Sequence, residues 1–280
     1  RGLGLWDADA GIEAAFADVE QLAEQLQDGP TSLISVMRVQ NETGWIFPIP
    51  EIAQLRDELA PGVPLHCDAT QAFCKMPVDP REWGVQLLTA GAHKIGGPRG
   101  IGILYVQRGL PMHTTAFGGN QERGLRSGTE PVFLAVGMAE AVRITAAHME
   151  TDMEYAASLR ERAIEGLKRE IPDAVVHAPE GGSPYILSVS VPGLPNVVSV
   201  KYLSGRRVCV SRASACEENH TTVAPGTWRP KHPLALQAAG IPLREGKETL
   251  RVSFFHRNTP EDVDRFVAVL AQCAREMRES

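Results

Sequence analysis

The sequence predicts an α/β fold: a large domain on a mostly parallel sheet with helices, followed by a smaller C-terminal α+β domain. Three observations predict it. Short β-rich runs alternate with helical stretches through the first half of the chain. Three of those runs end in clusters of polar residues, and open α/β sheets bind their ligands outside the carboxyl ends of the strands. From Pro131 the apolar spacing turns helical for about forty residues, which separates two strand-bearing stretches. The division falls at 1–143 and 144–280.

The elements follow in order. Ile12, Phe16, Val19, Leu22 and Leu26 recur at helical spacing across 11–27. The β-rich run 33–39 reads as a buried strand, and Asn41-Glu42-Thr43-Gly44 ends it in a loop. Pro48 and Pro50 open a short helix with Ile52, Leu55 and Leu59 on one face. Strands follow at 64–67, 85–89 and 101–106, the first ending in Asp68-Ala69-Thr70-Gln71 and the second in Gly91-Ala92-His93-Lys94. Leu134, Met138, Ala141, Val142 and Ile144 mark one helix; Leu159, Ile164, Leu167 and Ile171 mark a second. Strands at 186–191, 207–211 and 250–254 complete the smaller unit. Its last helix has Thr259 as cap, Pro260 at the first position and Asp262 near the positive end, with Val263, Phe266, Val267 and Leu270 as its apolar stripe.

Composition bounds the function. The chain has 280 residues, 43% hydrophobic and 22% charged, which excludes disorder, collagen and coiled coil as the main state. The net charge is −6, from 28 basic and 34 acidic residues, so no basic footprint argues for nucleic acid. No uninterrupted apolar run approaches the ~20 residues of a membrane helix, and residues 1–10 lack the apolar core of a signal peptide; no membrane partner is expected. Five cysteines, at 67, 74, 209, 216 and 273, form no paired spacing, so a reducing cytoplasm is the expected compartment. The chain begins with Arg1, and the expectation is that an N-terminal portion is lacking.

Asp68 and Lys94 stand at the ends of successive strands. A carboxylate and a lysine so placed make an ion pair in most proteins. They also suit pyridoxal phosphate, where a lysine forms a Schiff base with the aldehyde and a carboxylate keeps the pyridinium nitrogen protonated. Asn41 and Gln71, also at strand ends, can donate to the ring hydroxyl. Gly97-Pro98-Arg99-Gly100-Ile101-Gly102 has neither the P-loop nor the dinucleotide spacing, and more simply turns the chain after Lys94. With no CxxC or HExxH, no metal site is expected; His220 and His232 beside Cys216 are a weak alternative.

Taken together, Asn41-Glu42-x-Gly44, His66-x-Asp68-Ala69-Thr70-Gln71, His93-Lys94-Ile95-x-Gly97-Pro98-x-Gly100-Ile101-Gly102 and Gly118-Gly119-x-Gln121-Glu122-Arg123-Gly124-x-Arg126-Ser127-Gly128-Thr129 resemble the successive blocks of the cysteine desulfurases. These belong to the class V aminotransferase group of pyridoxal phosphate enzymes with fold type I. The resemblance implies that Lys94 is the Schiff-base lysine and that Asp68 pairs with the pyridine nitrogen. It places Asn41 and Gln71 at the ring hydroxyl and His93 beside the cofactor near its phosphate. Thr129 would reach the phosphate of a neighbouring subunit, which implies a homodimer with shared sites. Thr129 also stands where a helix start is predicted, a place that favours an anion or simply an N-cap.

Two further matches concern the reaction. Ser211-Arg212-Ala213-Ser214-Ala215-Cys216 resembles the segment before the catalytic cysteine of the longer-loop desulfurases, and 217–231 reads as a long loop. Leu250-Arg251-Val252-Ser253 resembles the block whose arginine holds the substrate carboxylate, a task suited to a bidentate fork. The resemblance thus implies conversion of L-cysteine to alanine, with a persulfide on Cys216 passed to a protein acceptor such as an iron–sulfur scaffold. The alternatives are another class V enzyme (a C–S lyase, a selenocysteine lyase or an aminotransferase) and an inactive partial chain. Cys67, Cys209 and Cys273 read as core. The family's N-terminal third, with a Gly-Ala-Thr block and a ring-stacking histidine, has no counterpart in 1–280. Gly91 replaces the family's serine three residues before the lysine, leaving Thr89 or a backbone amide to compensate. Glu217 and Glu218 beside Cys216 would raise its thiol pKa, with Arg212 opposing them.

Overall fold

The computed structural model describes residues 19–27, 29–114, 116–177, 179–212, 235–236 and 239–279. They fall into two compact units: one comprises Val19–Arg38 and Pro48–Met149, the other Val39–Phe47 and the chain from Glu150 onward.

The first unit holds a four-stranded sheet in the order β1-β2-β3-β4, with β1 at Ile34–Met37, β2 at Leu65–Asp68, β3 at Leu87–Gly91 and β4 at Gly102–Val106. β1, β2 and β3 run parallel. Ile34, Leu65, Cys67, Leu88 and Ala90 are buried, and the residues alternating with them, Ser35, His66, Asp68 and Thr89, are partly exposed. The side-chain period of two therefore gives one polar sheet face, and Asp68 lies at its end. β4 turns antiparallel to β3. The connection 92–101 is too short for a crossover helix, which a parallel partner requires. Gly102 pairs with Gly91, and a Cβ at 102 would stand 2.7 Å from the Ala90 carbonyl oxygen, so only glycine fits this closely packed start of β4.

Two helices precede β2. α1 (Val19–Gln27) buries Leu22 and Leu26; residues 11–18 of the predicted helix lie outside the described residues. α2 (Ile49–Leu59) carries proline in its first turn, and buries Ile49, Ile52, Ala53 and Arg56. The buried guanidinium of Arg56 donates to Val63 O (2.8 Å), Gly84 O (3.0 Å) and Gln86 Oε1 (2.6 Å). It thereby ties α2 to the segments entering β2 and β3, where its charge finds the acceptors a buried cation needs.

The two helices predicted after Pro131 are one: α3 runs unbroken over Val132–Glu170. The polar stretch between their apolar stripes contains neither proline nor glycine, so nothing ends the helix there. In the first unit it buries Met138 and Ala141 and leaves Val132, Phe133, Val136 and Ile144 exposed. By length and composition alone it could cross a membrane.

The second unit holds an antiparallel sheet in the order β5-β6-β7: Val175–Val176, Ile186–Ser190 and Thr249–Ser253. β6 is buried along its whole length. α4 (Asn196–Ser204), α5 (Leu243–Gly246) and α6 (Pro260–Glu279) accompany it. The predicted cap of α6 forms: Thr259 N donates to Asp262 Oδ2 (3.0 Å), and Asp262 N donates to Thr259 Oγ1 (3.3 Å). Val263, Phe266, Val267 and Leu270 are buried as its stripe. The strand predicted at 207–211 does not form. Arg207 takes a left-handed φ of +62°, and only Ser211 pairs, as an isolated bridge with Arg251. Cys209, read as core, is consequently exposed, whereas Cys67 and Cys273 are buried.

Two histidines predict how stability depends on pH. His177 Nε2 lies 2.7 Å from Ser190 Oγ and 3.3 Å from Glu245 Oε1; His66 is bonded within the first sheet. Burial holds both below the ordinary 6.5, against the weaker opposing charges of Glu245 and Asp68. Below pH 6.5 the unfolded chain binds protons that the folded chain refuses, so stability is full above that pH and falls as the solution is acidified. The expected result is a melting temperature that declines between pH 7 and pH 5, with a shallower decline in His177→Gln.

Candidate active site

Asp68 closes β2, and its Oδ1 accepts the Thr70 N–H (2.8 Å), which fixes the carboxylate at the strand end. The chain then turns tightly: Ala72 and Phe73 both donate to Ala69 O, and Lys75 and Met76 to Ala72 O. Cys74 adopts φ +56°, a left-handed step that costs a non-glycine residue about 1–2 kcal/mol. Its side chain is buried against Ile95 and Ala141. Beyond that step Lys75 Nζ reaches back to donate to Gln71 Oε1 at 3.2 Å.

Lys94 ends a single 3₁₀ turn, Ala92–Lys94, directly after β3. Buried Ala92 anchors that turn: its carbonyl accepts Ile95 N and Gly97 N, and its own N–H donates to Ile101 O. Thr145 Oγ1 on α3 donates to Ala141 O of its own helix (2.7 Å) and lies 3.3 Å from Ile95 O, bracing the far side. His93 is exposed. A Cβ at Gly91 would stand 3.0 Å from both Cε1 and Nδ1 of His93, so the absence of a side chain at 91 is what lets this ring lie where it does.

Sequence reasoning missed two features here. Ser35 Oγ, His66 and Thr89 Oγ1 form a chain across β1, β2 and β3, at 2.8 Å to Nδ1 and 3.0 Å to Nε2. The register that aligns Ser35 with His66 could have pointed to it, but the strand offsets are not legible in one sequence. The other is Lys75, which burial and the charge of Lys94 bring down to about 8. No spacing signals it, because its return to Gln71 follows the left-handed step at Cys74. The buried thiols are not competing nucleophiles. Burial and the Asp68 charge push Cys67 up to about 12, and burial raises Cys74 and Cys273.

Thr129 is exposed and stands three residues before α3 begins at Val132, so it is not the cap of that helix.

In the second unit Gln40 organises the 41–44 turn. Its Oε1 accepts Glu42 N (2.5 Å), Thr43 N (2.7 Å) and Thr43 Oγ1 (3.2 Å), and its Nε2 donates to Asn41 Oδ1 (3.4 Å). Gly44 takes φ +77°, and its carbonyl accepts Ser183 N (2.8 Å). Arg251, on β7, donates from Nη1 to the Asn41 carbonyl (3.1 Å). Its backbone exchanges two hydrogen bonds with Ser211, at 2.7 and 3.0 Å. The structure thus brings Asn41, Arg251 and Ser211 together. Cys216 itself lies outside the described residues.

The first unit therefore joins Asp68, Gln71, Lys75 and Lys94 around one sheet end, and the second joins Asn41 to Arg251. A fixed carboxylate, an amide and a lysine fit the ring and aldehyde end of pyridoxal phosphate. The second lysine shows that this region bears a second positive charge within electrostatic reach of the first.

Comparison with known proteins places the chain. The class-V aminotransferase family matches residues 12–266. The chain is 32% identical over 263 residues to a cysteine desulfurase of Nostoc sp., covering 93% of this chain and 62% of that protein. It is 32% identical over 270 residues to the cysteine desulfurase IscS of Clostridium botulinum, covering 95% and 65%. Among solved structures it resembles a NifS-like protein with a TM-score of 0.78 and 30% identity, over 89% of this chain and 64% of that one. The chain thus spans somewhat under two thirds of the length of the curated relatives it matches. With the strand-end Asp68 and Lys94, the Arg251 strand and a match across most of its length, the chain belongs to the class-V aminotransferase family and has the α/β, type I fold of the NifS-like proteins.

Proposed function

We propose that this chain carries out, as part or whole of its protein, the pyridoxal phosphate-dependent desulfuration of L-cysteine. The observation that carries this reading is the placement of Asp68 and Lys94 at the ends of adjacent parallel strands, in a chain related throughout to cysteine desulfurases. Lys94 would hold the cofactor through its amine, and Asp68 would keep the pyridine nitrogen protonated. Gln71 and Asn41 would donate to the ring hydroxyl, and His93 would lie near the phosphate. Thr129 would serve the phosphate of a second subunit, which makes the protein a homodimer. When bound, the cofactor supplies an electron sink that weakens the substrate's C–S bond.

The chain's residues do the rest. Arg251, held by the Asn41 carbonyl, receives the carboxylate of L-cysteine. Lys94 moves a proton to and from the substrate carbons. The Cys216 thiolate takes the substrate sulfur as a persulfide, the Cβ–Sγ bond breaks, and the carbon gains a proton so that alanine leaves. A protein acceptor such as an iron–sulfur scaffold then accepts the sulfur. Free thiols at Cys67, Cys74, Cys209 and Cys273 support a reducing cytoplasm as its location.

The test is direct. The chain is incubated with pyridoxal phosphate, reduced with borohydride and digested. The pyridoxyl group is expected on the peptide containing Lys94. A label found on other lysines and absent from Lys94 overturns the assignment.

A further inference from the structure

Lys75 is a group that the proposed reaction leaves unused. It follows Asp68 and Gln71 in the tight turn after β2, and the left-handed step at Cys74 returns it toward that turn. Its Nζ donates to Gln71 Oε1 at 3.2 Å. A side-chain amide has one acceptor end and one donor end. A lysine ammonium can only donate, so this bond assigns the orientation of the amide: Oε1 faces Lys75, and the Nε2 donors face away from it. Gln71 can then act only as a donor toward whatever it meets on its other side.

The charge of Lys75 acts on the same site. Burial, and after it the charge of Lys94 on the turn after β3, bring the Lys75 ammonium down to about 8, so that it remains charged at neutral pH. The repulsion is a property of the pair. Asp68, at the end of the strand before this turn, accepts the Thr70 N–H, and the acceptor that Lys75 reaches is the neutral Gln71 amide.

We propose that Lys75 is a positioning residue of the active site, which clamps the Gln71 amide with its donor end toward the ring hydroxyl of pyridoxal phosphate and adds a second positive charge next to Lys94. This inference rests on the reading that Lys94 carries the cofactor. It assigns to Lys75 no contact with substrate.

The experiment is a spectroscopic pH titration of bound pyridoxal phosphate in the 280-residue chain. Wild type, Lys75→Arg, Lys75→Met, Gln71→Ala and the double variant Lys75→Met/Gln71→Ala are compared. Removing a nearby positive charge raises the proton affinity of the cofactor site, so Lys75→Met is expected to move the midpoint of the absorption change upward by about one pH unit. Lys75→Arg keeps charge and donor and is expected to leave the midpoint near wild type. In the Gln71→Ala background the effect of Lys75→Met is expected to be clearly smaller, because part of it acts through the amide. A merely structural lysine would change thermal stability without moving the midpoint. If Lys75→Met is unfolded, Lys75→Gln carries the same comparison. An unmoved midpoint in a folded charge-removing variant overturns the proposal while leaving Lys94 as the cofactor lysine. Absence of any cofactor band in wild type overturns the reading on which it rests, and the proposal with it.

Discussion

Lys94→Ala is expected to abolish covalent cofactor binding and to lower alanine formation from L-cysteine by at least roughly 10²–10⁴-fold, the range for losing a positioned proton-transfer group, with the lost nucleophile in addition. Its position explains why the loss should be chemical. Lys94 is partly exposed at the end of a turn whose anchors are the buried Ala92 and the Thr145 hydroxyl. None of those contacts passes through the Lys94 side chain, so the melting temperature should stay close to wild type. The check is the absorption spectrum after removal of free cofactor, with alanine release measured in parallel. A variant that retains the cofactor band would contradict the assignment.

Arg251 should give the second large effect, of a different kind. Its Nη1 is held by the Asn41 carbonyl, and its backbone is paired with Ser211, so the guanidinium is fixed before substrate arrives. A charge-assisted hydrogen bond contributes about 1.5–3 kcal/mol, and 1.4 kcal/mol is a factor of ten. Arg251→Lys keeps the charge but loses both the fork and the tie to Asn41. It is expected to lower kcat/KM for L-cysteine by about 10- to 150-fold, mainly through KM, as the loss of a contact made equally in ground and transition states requires. Steady-state kinetics check it. A fall confined to kcat would place Arg251 on the reacting atoms and not on the carboxylate.

Much of the fold was legible because its punctuation is chemical. The β-rich runs at β1, β2 and β3 stop at polar clusters, and strand ends lie where apolar alternation gives way to Asp68 and to His93-Lys94. The α6 cap was legible because Thr259, Pro260 and Asp262 each satisfy a different requirement of a helix start. α3 was not legible as one helix, since two apolar stripes with a polar stretch between them look the same whether or not the helix continues. The run 207–211 has strand composition, but one partner residue is not a ladder, and pairing is a tertiary property. Within the site, the residue types at 68 and 94 announced themselves. The Ser35–His66–Thr89 chain depends on register, and Lys75 depends on a left-handed cysteine that no spacing reveals.

The most direct test of the central claim is alanine release from L-cysteine by the pyridoxal phosphate-loaded chain, measured beside Cys216→Ala. The account predicts stoichiometric alanine and a persulfide on Cys216 in wild type. In Cys216→Ala it predicts neither product, with the cofactor still bound. Alanine formed equally well by Cys216→Ala would contradict it, and would make the chain a lyase that releases sulfur without a protein nucleophile.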